Sequence, residues 1–61
     1  MTFVRTKLAL EKLPRGAILA VRLRGEEPRR NVPRAASEEG HEIIATAELG
    51  DGVSELLIRR G

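Results

Sequence analysis

The pattern of apolar and polar positions predicts one helix and one strand in the first third of the chain. From Thr2 to Leu13 apolar residues recur at steps of three and four, which is typical of a helix that buries one face. Pro14 and Gly16 are expected to end this helix. The next apolar run, Ala17 to Arg24, is short, has apolar odd-numbered positions and is flanked by turn residues, so it predicts a strand.

A second helix is predicted in the middle of the chain, after a charged loop from Gly25 to Arg30. Asn31 is a residue type that commonly caps a helix N-terminus, and Pro33 is well tolerated in a first turn. The helix is expected to continue to Glu39, and Gly40 is typical of the position just past a helix C-terminus. These residues therefore predict a helix that begins at Asn31.

The last third of the chain predicts a β-hairpin. Strands are expected from His41 to Leu49 and from Val53 to Arg60, with Gly50-Asp51-Gly52 as the turn between them. The order is then helix, strand, helix, strand, strand. That order predicts an α/β (α+β) two-layer sandwich, with two helices on one face of a small mixed sheet. The length of 61 residues is that of a single small domain.

Composition narrows the chemistry that this chain can perform. The sequence has no cysteine and one histidine, so it contains no thiol nucleophile and too few soft ligands for a structural zinc site. No hydroxyl residue has a base at local spacing, and the glycines form no phosphate-binding loop. We therefore predict no catalytic residue, cofactor or metal ligand in it. No apolar run is long enough for a signal peptide or a membrane span, which predicts a cytoplasmic protein without membrane contact.

Arginine is the residue type that suggests a binding site. The net charge is +2, and most of the eleven cations are arginine, which favours bidentate recognition of carboxylate or phosphate. Arg29, Arg30 and Arg34 lie with Asn31 at the predicted N-terminus of the second helix, where the helix dipole disfavours cations and attracts anions. These four residues are the predicted anion- or acidic-partner-binding patch. The alternative is that nearby glutamates neutralise the arginines, namely Glu26, Glu27, Glu38 and Glu39.

Several apolar residues are predicted to lie outside the buried faces. Val4 and Leu8 form an i, i+4 ridge apart from the apolar face of the first helix. On the strands, Ile18, Ile44 and Leu57 point away from the best apolar set of their strand. Isolated exposed aliphatic side chains are ordinary, but a contiguous set would indicate a partner surface.

Three segments taken together resemble the TusA/SirA-like sulfur-carrier (sulfurtransferase) family. TFVRTKLALEKLPRG is similar to the first helix of that family and the glycine turn after it. EPRRNVPRAASEEGHE is similar to its second helix, which ends in Gly-His-Glu. The closing LLIRRG is similar to its terminal strand. The resemblance covers essentially the whole chain, and the order and spacing of the segments match as well.

The resemblance implies an activity and a missing part. In the family, a strand and a Cys-Pro-x-Pro motif precede the first helix. The cysteine accepts a persulfide from a cysteine desulfurase or another sulfur-relay protein and passes it on, for instance toward tRNA thiolation. Laid on this motif, Met1 and Thr2 take its last two positions, with Thr2 in place of the second proline. We therefore expect residues 1–61 to be a single TusA-like domain that lacks the first strand of a βαβαββ fold and is inactive as written.

Three functions are compatible with these observations. The chain is a sulfur carrier whose true start lies upstream, a cysteine-free binding or regulatory module that uses the arginine patch, or a structural or oligomerisation domain. Contact with RNA stays open. The implied first strand would pair in parallel with the strand from Ala17 to Arg24. Without it, that strand becomes a sheet edge, so we expect a homodimer joined near it or an aggregation-prone chain.

Overall fold

A computed structural model describes residues 3–61, with side chains from Val4 onward. The elements follow the predicted order, and they are α1 (Phe3–Glu11), β1 (Ile18–Arg24), α2 (Glu26–Glu38), β2 (Glu42–Gly50) and β3 (Val53–Arg59). The first helix ends at Glu11 rather than at Leu13. The predicted helix start at Thr2, and the alignment of Met1 and Thr2 with a Cys-Pro-x-Pro motif, lie outside the described residues.

The three strands form one antiparallel sheet in the order β1-β3-β2. Both helices pack on the same face of this sheet, because residues from each helix share one apolar core with alternate residues of β1 and β3. The core consists of Leu10, Val21, Leu23, Val32, Ala36, Leu56 and Ile58. The predicted two-layer α+β sandwich is confirmed. The parallel strand pairing that would make the sheet mixed is not found among residues 3–61.

The second helix begins at Glu26, so the predicted loop from Gly25 to Arg30 is wrong. Gly25 is the N-cap residue, with a φ of 94°, and no side chain caps this end. Glu26 and Glu27 fill the first turn, where the helix dipole favours carboxylates. Pro28 follows them, and its missing N–H removes no helical bond there, because first-turn N–H groups have no partner within the helix.

Asn31 and Pro33 therefore lie inside α2, and the predicted cap at Asn31 is wrong. Pro33 removes the hydrogen bond that its N–H would make to the carbonyl four residues earlier, a local penalty of about 3 kcal/mol. Val32 and Ala36 offset this penalty, since both are buried in the core against the sheet. Tertiary packing thus carries the helix through a sequence that locally predicts a helix start.

The predicted hairpin is confirmed, although Gly50 belongs to β2 rather than to the turn, and the hairpin leaves the sheet with two different edges. Asp51 and Gly52 join β2 to β3 with positive φ angles of 53° and 75°, as a two-residue turn of this kind requires. Along β2 the register shifts between Ile43 and Ala45 and again between Glu48 and Gly50, which are β-bulges. Strand β1 pairs with β3 without any shift. The outer edge of β2 is therefore irregular, whereas that of β1 is straight.

Candidate functional site

The predicted patch lies along α2 rather than at its N-terminus. Because α2 begins at Glu26, the arginines come after an acidic first turn. The helix dipole therefore supplies no reason for an anion site at Arg29, Arg30 and Arg34, and that part of the prediction is wrong. What the patch can bind depends instead on how far each guanidinium is occupied by a neighbouring carboxylate.

Arg29 is occupied by a contact with the hairpin. Its Nη2 lies 2.6 Å from Oε1 of Glu48, and the other oxygen of that carboxylate accepts a hydrogen bond of 2.8 Å from the buried hydroxyl of Ser54. Beside this chain of contacts, the Gly25 N–H donates to the Gly52 carbonyl at 2.9 Å. A cavity of about 250 Å³ lies among these residues. The group clamps the start of α2 onto the hairpin, so Arg29 is held in the fold.

Arg30 and Arg34 keep most of their donor capacity. Arg30 is a loose partner of Glu26, at 4.0 Å, and its side chain is 80% exposed. Arg34 donates to the Asn31 side-chain oxygen at 3.3 Å. Of the predicted neutralising glutamates, the described residues pair only Glu26 with the patch. The patch is thereby reduced to Arg30 and Arg34, with Asn31 between them.

A further ion pair joins the two helices. Nζ of Lys7 on α1 lies 2.9 Å from Oε1 of Glu39, just past the end of α2. The hydrogen bond from Lys7, and then the charge of the ammonium, lower the pKa of Glu39. The same hydrogen bond and the carboxylate charge raise the pKa of Lys7. The pair is exposed and orients α1 against α2, and we assign it no chemical role.

An apolar groove lies between α1 and the outer edge of β1. Its volume is about 280 Å³, and it is lined by Arg5, Thr6, Ala9, Leu19, Ala20, Val21 and Arg22. Thr6 is 3% exposed, and its hydroxyl oxygen has no hydrogen-bond partner among the described residues. A buried hydroxyl without a partner is costly, so an occupant of the groove toward which the Thr6 hydroxyl turned would relieve this cost by hydrogen bonding.

The outer edge of β1 offers backbone groups to such an occupant. The Gly25 N–H bonds to the Gly52 carbonyl, and antiparallel pairs alternate between bonded and non-bonded positions. Odd-numbered β1 residues therefore bond to β3, whereas Ala20 and Arg22 direct their N–H and C=O groups to the outer edge. No strand among residues 3–61 pairs with that edge. Sequence reasoning identified the edge from the implied missing strand, but the groove and Thr6 required the structure.

All three segments that carry the family resemblance meet at the end of β3. The Gly61 N–H donates to Nδ1 of His41 at 3.1 Å, and the Arg60 guanidinium donates to the Leu13 carbonyl. A Cβ atom on Gly61 would overlap the carbonyl oxygen of Gly40. His41 is thus occupied in a structural contact. The final glycine is required by this close approach.

Other chemistry is scarce in the described residues. Within residues 3–61, no three His, Cys, Asp or Glu side chains are grouped so that they could hold a metal ion. The same residues include no helix with the length and apolar character needed to cross a membrane. The hydroxyl of Ser54 is engaged by Glu48, and Thr46 is exposed on β2.

Comparison with known proteins supports the family resemblance of the three sequence segments. A family described as Sulfurtransferase TusA matches residues 1–60. A protein of Archaeoglobus fulgidus named "Putative sulfur carrier protein" is 39% identical over 59 residues, which cover 97% of this chain and 67% of the relative. No solved structure matches the chain with comparable significance.

Proposed function

Because the chain belongs to the TusA sulfurtransferase family, we propose that it is the folded body of a persulfide sulfur carrier. The sequence contains no cysteine, and only a thiolate can accept sulfur as a persulfide. In this proposal the accepting cysteine stands on a segment outside residues 1–61, and the domain is incomplete without that segment. The observation that carries the proposal is the regular edge of β1, with its groove, to which no strand among residues 3–61 pairs.

The groove is suited to a strand. A strand added at β1 would bond to the backbone groups of Ala20 and Arg22 and would cover Leu19 and Val21, which line the groove. If the Thr6 hydroxyl turns toward the groove, a backbone N–H of that strand donates to it, whereas no residue among 3–61 is its partner. Strand addition of this kind is supported by main-chain hydrogen bonds, with alternate side chains in pockets.

The proposed chemistry is a thiol exchange. The carrier thiolate attacks the outer sulfur of a donor persulfide, the S–S bond of the donor breaks, and its electron pair leaves with the donor cysteine as a thiolate. The carrier then holds the persulfide, and an acceptor takes the outer sulfur by the same kind of step. No oxidant is consumed, because the sulfur moves between two thiolates.

The proposal also identifies partners by their chemistry. The donor is a cysteine desulfurase or another sulfur-relay protein that presents a persulfide. The acceptor is a further carrier or an enzyme of tRNA thiolation. Binding of a tRNA probe would reveal contact with RNA. A relay of this kind requires reduced thiols, so we place the protein in the cytoplasm, where thiols are kept reduced.

Sulfur loading tests this proposal directly. The gene is read in frame upstream of the Met1 codon, and the 61-residue chain and the extended chain are incubated with a cysteine desulfurase and labelled cysteine. We expect the 61-residue chain to gain no sulfur and the extended chain to gain a persulfide, as seen by intact mass. Replacing the upstream cysteine by serine is the control. Sulfur on the unextended chain, or an upstream sequence without a cysteine, would contradict the proposal.

A second function is supported by Arg30 and Arg34, whose guanidinium groups are only loosely engaged. We propose it as the alternative: a cysteine-free binding or regulatory module in which Arg30, Asn31 and Arg34 bind a phosphate or an acidic partner, while Arg29 of the predicted patch stays paired with Glu48. Exchanging Arg30→Glu and Arg34→Glu together should weaken binding to a tRNA probe or to the desulfurase and flatten its salt dependence. Arg15→Glu is the matched control. Unchanged binding would reduce the patch to solvated surface.

A further inference from the structure

The face of the sheet that lies opposite the helices carries a row of apolar side chains. The strand register places Ala20, Leu57 and Ala45 side by side across β1, β3 and β2. Alternate positions on the same strands point into the core, so this row points the other way. Ile18, which precedes Ala20 on the same face of β1, is 58% exposed. We call this surface the open face.

Two ion pairs flank the apolar row, one on each side along the strands. On one side Arg22 of β1 pairs with Glu55 of β3, with Nε and Oε2 3.6 Å apart. On the other side Arg59 of β3 pairs with Glu42 of β2. Along β3 the open face therefore reads glutamate, leucine, arginine at alternate positions. This central strand carries opposite charges at equal distances from Leu57.

We propose that two copies of the chain associate through their open faces. The two-fold axis passes over Leu57, lies between the sheets and runs perpendicular to the strands. Because the axis passes over Leu57, this residue faces Leu57 of the second copy. The rotation also reverses the strand direction, so positions on either side of Leu57 are exchanged. Arg59 then faces Glu55 of the second copy, and Glu55 faces its Arg59. One surface is thereby complementary to itself, as a symmetric dimer interface must be.

Charge selects this axis over its main alternative. A two-fold axis that passes over Leu57 and runs parallel to the strands would leave each residue of β3 facing its own counterpart. Glu55 would then face Glu55, and Arg59 would face Arg59. Like charges facing each other across an interface are unfavourable, whereas the perpendicular axis pairs opposite charges on the central strand. The same axis brings Ile18 against the aliphatic stem of Arg22 from the second copy, which covers an exposed apolar side chain.

The size of the open face sets the strength of the proposed dimer. Three strands spaced about 4.8 Å apart and five residues of about 3.4 Å each give a footprint of about 14 by 17 Å. The area of this footprint is well below the roughly 800 Å² per partner that stable complexes bury. We therefore expect a weak association that depends on concentration and salt. The face lies away from α1 and α2, so it is independent of the sulfur chemistry proposed above.

Two charge-reversal variants test the geometry. Glu55→Arg places cations at both positions 55 and 59 of β3, and Arg59→Glu places carboxylates at both. Each variant alone should be monomeric by sedimentation, since its own copies repel. An equimolar mixture should form a heterodimer, because every cation of one variant then faces a carboxylate of the other. Glu38→Arg and Arg15→Glu are the controls, because they change charges away from the open face. Each of these variants should associate as strongly as the unchanged chain.

Circular dichroism accompanies each measurement, since Glu55 and Arg59 also make ion pairs within the chain. Leu57→Gln is the second test, because it removes the central apolar contact without changing any charge and should weaken the dimer. A well-folded unchanged chain that stays monomeric at millimolar concentration would overturn the proposal. So would single variants that associate as strongly as the unchanged chain, or a mixture of folded variants that does not associate.

Discussion

The two edges of the sheet are built differently, although both flank the same central strand. Strand β2 carries two bulges, and its extra residues Ile44 and Leu49 are exposed. Strand β1 pairs with β3 at every position and borders the groove under α1. Bulges interrupt the row of backbone groups that another strand would need. The fold therefore disfavours strand addition at β2 and leaves β1 able to accept a strand.

Arg22 and Arg24 modify this contrast at one end of β1. Charged side chains oppose the pairing of an edge with a copy of itself. The described part of the chain engages Arg22 with Glu55, and Arg24 donates to the Asp51 carbonyl at 3.4 Å. The edge is therefore more open to a different segment than to a second β1 strand. The expected homodimer at β1 stays a prediction, and the variants on the open face distinguish it from a face-to-face dimer.

The largest expected effect separates the two directions of backbone bonding along β1. Val21→Pro removes an N–H that bonds to β3 and disturbs a core residue. The carbonyl of β3 that loses its donor alone costs about 1–3 kcal/mol. Ala20→Pro removes an N–H at the outer edge, where proline is tolerated. We expect the first variant to be largely unfolded and the second to melt cooperatively, as followed by circular dichroism. Equal losses in both variants would contradict the assigned bonding pattern of β1.

The next effect tests the turn that holds the irregular edge. Asp51 adopts a φ of 53°, a conformation in which β-branched residues are strained. Asp51→Val should lower the free energy of unfolding by about 1–2 kcal/mol in urea titrations. Asp51→Asn is the control and should be close to neutral, since asparagine tolerates this conformation. A neutral valine variant would show that the hairpin does not depend on this turn geometry.

A smaller effect, opposite in sign, tests the groove at the regular edge. Thr6→Val replaces a buried hydroxyl that has no partner among residues 3–61 and should stabilise the 61-residue chain by about 1 kcal/mol. In the extended chain the gain should shrink, because the proposed strand can bond to the hydroxyl. Thr46→Val on the exposed part of β2 is the control and should change little. A stability loss at position 6 would show that Thr6 already has a partner.

The smallest effect concerns the Lys7–Glu39 pair, which is exposed and lies away from both edges. The lowered pKa of Glu39 means that its contribution is present above its ordinary pKa and is lost as the pH falls through the lowered value. The raised pKa of Lys7 means that its contribution is present below its ordinary pKa and is lost as the pH rises through the raised value. The pair thus stabilises the fold between about pH 5 and pH 10.

Glu39→Gln should therefore lower the melting temperature slightly at pH 7 and leave it unchanged at strongly acidic pH, where Glu39 is protonated in both states. Glu38→Gln on the neighbouring position is the matched control, because it removes the same charge without removing an ion pair among the described residues. Thermal melts across this pH range check the prediction. A difference that persists at acidic pH would mean that the Glu39 substitution acts through packing rather than charge.

Local sequence determined the order of the elements, the hairpin and the family. Asp51-Gly52 can form a tight turn almost regardless of its surroundings. The apolar residues at odd-numbered positions of β1 mean that only one face of this strand can be buried. These signals are short in range, and the structure confirms the elements that they predict. The exposed positions of Val4, Leu8 and Ile18 followed from the same periodicity and are also confirmed.

Only the tertiary structure decided where α2 begins and what its arginines contact. Asn31 and Pro33 locally favour a helix start, and so do Glu26, Glu27 and Pro28 earlier in the chain. Burial of Val32 and Ala36 stabilises the longer helix, which begins at Glu26 and runs through Pro33. Likewise, Arg29 is occupied by a carboxylate on a distant strand, which no local pattern indicates. The groove at β1 and the charge arrangement of the open face depend on the strand order and register. Both are set by contacts between residues far apart in the chain, so the sequence pattern alone could not predict them.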